Sequence, residues 1–227
     1  MSDHCEDHVN DHKHTILSEV TCHFPYAVFS VAFALAMLSF INFLSSCHLD
    51  TQETCKGAHL LFHSFHFMHI VFAATGTLIT YYRFSKNIWK GLIVGILTAS
   101  IFCTLSDSVL PYIGGRLLGV NMHFHMCFIS DIDKILPFLL VGLLNGYVMS
   151  RHSSDKQSFY STFSHAIHIL VSSFAAMFYL VSHGYINWAA DIGYVFIFLI
   201  IAVVVPCTFS DVVVPMYFAR AKKNEKH

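Results

Sequence analysis

The chain has 227 residues, a net charge of −1, 55% hydrophobic and only 12% charged residues, and a mean hydropathy of +0.58. Soluble domains carry roughly 25% charged residues, so a nucleic-acid binder, a disordered chain and a soluble secreted domain are excluded. The composition fits an all-α polytopic membrane protein, with one anomaly: 17 His against 13 Lys+Arg and 14 Asp+Glu.

A bilayer core needs about 20 mainly apolar residues per helix. Six such spans follow in chain order, over residues 24–44, 59–82, 91–106, 135–150, 159–181 and 192–218. The second opens with four His, the third is interrupted by Asp107, and the sixth contains Asp211. Six spans place the N-terminus, the second and fourth loops and the C-terminus on one side. That side holds ten of the 13 basic residues, from Lys13 to Lys226; the other holds Lys56, Arg116 and Lys134. Positive charge marks the cytoplasm. Both termini are therefore expected inside, in the plasma (inner) membrane. The acidic, His-rich start has no positive n-region or cleavage site, so no signal peptide is expected.

Of seven Cys, Cys47, Cys55 and Cys127 fall outside, Cys5 and Cys22 inside, and Cys103 and Cys207 within spans. Cys47 and Cys55 can pair in an oxidising compartment. Three outer Cys cannot all pair within one chain, which leaves one free or a ligand.

The most specific signal is a duplicated segment. Residues 103–111 read CTLSDSVLP and residues 207–215 read CTFSDVVVP, matching at six of nine positions. More weakly, His66-x-x-His69-Ile corresponds to His165-x-x-His168-Ile, and Pro25 to Pro137. This predicts two three-helix repeats, residues 16–112 and 133–219. They are joined by an outer loop (113–132) and flanked by a His/Cys-rich tail (1–15) and a basic tail (220–227). Three helices is an odd number, so the second repeat enters from the opposite side. Inverted repeats are common in secondary transporters, whose sites form at the repeat interface. Duplication kept only for packing would not require an Asp, a Cys, two hydroxyls and a Pro, all costly in lipid; intramembrane carboxylates mark functional sites.

Pro111 and Pro215 each follow an Asp by four residues and lack the N–H that would bond its carbonyl. A broken helix offering main-chain and carboxylate oxygens to a cation is expected there. Cys103 and Cys207 lie one turn before each Asp, as soft ligands or small buried hydrophobes in equal measure. His59, His63 and His66 fall within about 60° on one helix face, with His69 roughly 60° further round. His165 and His168 share a face with Ser161, Ser164 and Ser172.

Clustered neutral imidazoles suit transition metals and not Ca or Mg. The expected metal residues are His63, His66, His69, Asp107, His165, His168 and Asp211. Secondary candidates are His59, Cys103, His123, His125, Cys127 and Cys207. Topology places one His/Asp site near each membrane face. The outer loop residues and the tail residues His4, Cys5, His8, His12 and His14 act as collectors.

The expected function is transport of a divalent transition metal (Zn, Ni, Co, Mn, Fe or Cu) across the bilayer, with a transporter favoured over an enzyme. No nucleic acid is implied, and a homo-oligomer is compatible. The alternative is a haem- or di-metal-containing membrane redox protein or metalloenzyme, for which the Asp-Pro motif has no role. No nucleophile elbow, P-loop, dinucleotide fingerprint or HExxH sequence is present.

Overall fold

A computed structural model describes residues 16–46, 51–124, 130–151, 157–186 and 188–220. Among them there is no strand. The elements are α1 (Ile16–Ser46), α2 (Thr51–Phe84), α3 (Ile88–Thr104), α4 (Leu110–Leu117), α5 (Ile132–Arg151), α6 (Gln157–Ser182), α7 (Ile192–Thr208) and α8 (Val214–Arg220). A π-turn, Leu105–Val109, joins α3 to α4, and a second, Phe209–Val213, joins α7 to α8. Each pair thus forms one long rod, and five helical rods are long and apolar enough to cross a membrane. The chain is integral to a membrane.

The sixth long helix, α2, does not meet that criterion, because its His residues lower its hydropathy. It is instead wrapped by its neighbours, packing against α3, α5, α6 and α8. Helix α1 lies across α6 and α7. Outward-facing Leu136, Leu140, Val141 and Leu144 on α5, and Ile197 and Ile201 on α7, are exposed as lipid-facing residues should be.

Close approach of α5 to α2 depends on Gly142 and Gly146, a small-xxx-small spacing that lets membrane helices touch backbone to backbone. A Cβ at Gly142 would lie 2.7 Å from the Val71 carbonyl oxygen, and one at Gly146 2.9 Å from that of Thr75. The same contact is tied by Thr75 Oγ1, which donates to the Gly142 carbonyl (3.1 Å) and accepts from Asn145 Nδ2 (3.3 Å).

Glycine also ends two helices. At Gly184 (φ +95°) the Tyr185 N–H bonds the Leu180 carbonyl and the Gly184 N–H that of Val181. Gly119 (φ +81°) closes α4 in the same way, with Val120 bonding Gly115 and Gly119 bonding Arg116. This is the left-handed cap that glycine adopts without a Cβ penalty. Beyond the first of these caps Tyr185 donates to Asp191 Oδ2 (3.0 Å). Burial, and then the bond to Asp191, push the Tyr185 hydroxyl up to about 12.

The helices do not break at the duplicated motif. Leu110 N–H bonds the Leu105 carbonyl and Val214 N–H the Phe209 carbonyl, each five residues back. The extra residue in each turn accommodates the proline that follows without interrupting the rod. It also places Asp107 and Asp211 at the third position of the turn, both buried. Such bulges concentrate at functional sites.

Candidate metal centre

The first π-turn packs against α6 and the second against α2, so each Asp faces the long helices that carry the His pairs. Asp107 Oδ2 accepts from His66 Nδ1 (2.9 Å) and His69 Nδ1 (2.7 Å), both from α2. Its Oδ1 accepts from Ser106 Oγ (2.8 Å) and, across the bundle, from Ser172 Oγ on α6 (3.0 Å). Asp211 Oδ2 accepts from His165 Nδ1 (3.1 Å) and His168 Nδ1 (2.6 Å). The parallel stops there: Asp211 Oδ1 and the Ser210 hydroxyl are buried with no hydrogen-bond partner among the described residues. The Asp211 carboxylate instead lies against Gly76, where a Cβ would stand 3.0 Å from Oδ2.

Two separate sites near opposite faces are expected from topology; the structure joins them. His69 Nε2 and His168 Nε2 lie 2.6 Å apart, and Cys207 Sγ is 3.8 Å from His69 Nε2. All three residues are buried. Helix α2 starts at Thr51, eight residues before the expected span, which puts His69 about halfway along it. His168 is likewise near the middle of α6. At about 1.5 Å per residue, each lies well inside its helix, away from either end.

A carboxylate that is ionised only accepts, so the four Nδ1 atoms are the donors. A neutral imidazole has one N–H. The Nε2 atoms of His69 and His168 therefore face each other as lone pairs. Lone pairs at 2.6 Å repel unless a cation, either a proton or a metal ion, lies between them. A His whose Nδ1–H is anchored on a carboxylate while Nε2 faces a metal is the usual outer-shell arrangement of a metal-binding imidazole.

No family model, curated protein or solved structure matches this chain. What the centre can do follows from its donors.

Among the described residues two groups have the spacing to hold a metal ion: His69, His168 and Cys207, and His165, His168 and Asp211. The second group lies where two Nδ1 atoms already bond Asp211 Oδ2, while His165 Nε2 and Asp211 Oδ1 have no hydrogen-bond partner among the described residues. The first draws on nitrogens left over once the carboxylates are served. Of the expected residues, His66, His69, Asp107, His165, His168, Asp211 and Cys207 are joined in one network, all buried except the half-buried His165.

Others lie apart from it. His63 Nδ1 donates to the His59 carbonyl (2.9 Å), and its Nε2 is 3.8 Å from Asp131 Oδ2. Asp131 is held down at about 2, chiefly by its hydrogen bond from Lys134. His59 and His123 are exposed, and Cys103 is buried on α3 outside both groups. His125, Cys127 and the tail residues His4, Cys5, His8, His12 and His14 lie outside the described residues, as does Cys47. Cys55 donates its thiol to the Val181 carbonyl at 3.6 Å. The sequence did not single out Gly76, Thr75 or Asn145; the Gly142/Gly146 spacing next to Asn145 is the one readable sign of close helix packing there.

Proposed function

We propose that this chain is a membrane transporter of a divalent transition-metal cation, built as two inverted three-helix repeats with both termini in the cytoplasm. The observation that carries the reading is the facing Nε2 pair of His69 and His168 with Cys207 beside it, inside a bundle of membrane-crossing helices. The duplicated Asp-Pro segments take the same local form and anchor equivalent His pairs, which supports the two-fold relation. A site between repeats, at mid-depth, is where rocking of one half against the other exposes a cargo alternately to each face. The cytoplasmic side is taken from the distribution of basic residues.

Reconstituted in proteoliposomes, the wild type is expected to accumulate zinc well beyond one ion per protein. Asp107→Ala/Asp211→Ala removes both His anchors and is expected to cut uptake at least 10- to 100-fold, the usual cost of losing outer-shell partners. Unchanged uptake in that double variant rejects the reading.

A second reading, a membrane metalloenzyme with a resident ion, is favoured by the convergence of all four His at one depth. The two readings part on stoichiometry. A resident ion stays at about one per chain and does not accumulate in the lumen.

A further inference from the structure

Resting on the transport reading, we infer that the cargo is a thiophilic divalent ion of the zinc type. Its ligands are His69 Nε2, His168 Nε2 and Cys207 Sγ, while Asp107 and Asp211 orient the imidazoles from behind. The chemistry of the donors divides the candidate metals. Manganese and iron(II) favour carboxylate and carbonyl oxygen, whereas a thiolate with two imidazoles selects softer ions. Asp107 Oδ2 and Asp211 Oδ2 are each engaged by two Nδ1 atoms and Asp107 Oδ1 by two serine hydroxyls, which leaves Asp211 Oδ1 as the one oxygen of the two carboxylates without a partner among the described residues. The Cys207 sulfur stands 3.8 Å from His69 Nε2, the same nitrogen that meets His168 Nε2.

The spacing is close to that of a loaded site. Tetrahedral zinc with Zn–N of about 2.0–2.1 Å and Zn–S of about 2.3 Å places its nitrogens roughly 3.3 Å apart and sulfur and nitrogen roughly 3.6 Å apart. Sulfur and His69 Nε2 stand at 3.8 Å and the two nitrogens at 2.6 Å. Loading thus requires the rings to part by about 0.7 Å. Three protein ligands leave the fourth position open, as in exchangeable sites and unlike closed structural ones. Coordination releases the thiol proton to the medium.

The inference also separates two cysteines that the sequence makes equivalent. Cys103 and Cys207 occupy the same place in the duplicated segment, yet only Cys207 joins a metal-compatible group.

The test is titration of the purified full-length protein with cobalt(II) chloride, read by absorption. The wild type is expected to show tetrahedral cobalt bands and a thiolate-to-cobalt charge-transfer band, discharged by zinc and not by an equal concentration of manganese. Cys207→Ser is expected to lose the charge-transfer band and at least 10-fold in zinc affinity, and Cys103→Ser to keep both. A wild-type spectrum with nitrogen and oxygen ligands only, displacement by manganese, or loss of the band in Cys103→Ser overturns the inference while leaving metal transport standing. Failure of the wild type to bind cobalt or zinc at all overturns the transport reading itself. The wild-type spectrum and competition are decisive even if Cys207→Ser does not fold.

Discussion

Replacing His69 and His168 together with alanine is expected to abolish metal binding, lowering zinc affinity by more than 100-fold in equilibrium titration. These rings supply the two facing Nε2 atoms, so their removal deletes ligands, and ligand loss exceeds the 10- to 100-fold effect of an outer-shell partner. The protein should survive the change. Asp107 keeps His66, Ser106 and Ser172 as donors, and Asp211 keeps His165, so neither carboxylate is left bare. His63→Ala is the matched control. It removes a His from the same helix whose ring nitrogens face the His59 carbonyl and Asp131 rather than the centre. Its zinc affinity should stay within about 3-fold of wild type, the spread typical of indirect effects on a site it does not touch. Equal losses in both variants would show that binding follows His content, not this pair.

The second large effect is expected at Gly142. Its absent Cβ faces backbone, the Val71 oxygen at 2.7 Å and Cα at 2.9 Å, neither of which can rotate away as a side chain would. Gly142→Leu therefore drives α5 off α2 and breaks the Thr75 bond to the Gly142 carbonyl. Overpacking costs roughly 1–3 kcal/mol where side chains can adjust, and a rigid backbone contact should exceed this. The variant should lose its monodisperse peak in detergent, or unfold far below the wild type on heating. Gly193→Ala meets nothing within 4 Å and should change stability by no more than about 0.5 kcal/mol. A folded Gly142→Leu protein with wild-type thermal stability would show that this contact does not hold the bundle together.

The membrane class and the principal polar residues were legible because costly side chains stand out in apolar helices. Asp107 and Asp211, with prolines at the same spacing, could be paired by reading alone. Their placement could not. The start of α2 at Thr51 is hidden by polar residues, and the eight extra residues decide whether His69 sits at a mouth or at mid-helix. The π-turns were unreadable for a related reason. Proline signals a disturbed helix, but whether the chain breaks or takes in one more residue depends on what packs against it. Ser172 was rightly placed on the His face of its helix; that it serves the opposite carboxylate, Asp107, required the tertiary fold. Equivalent positions in two similar segments also invite the belief that Cys103 and Cys207 are alike, and only packing separates them.

The two carboxylates are clamped unequally, and this gives the centre a stiff side and a slack side. Turning Asp107 means breaking four hydrogen bonds drawn from three elements, whereas turning Asp211 breaks two, both from α6. The glycine opposite Asp211 puts no side chain in its way. A displacement of Asp211 therefore meets less resistance than one of Asp107, whose donors tie α2 and α6 together through a single carboxylate.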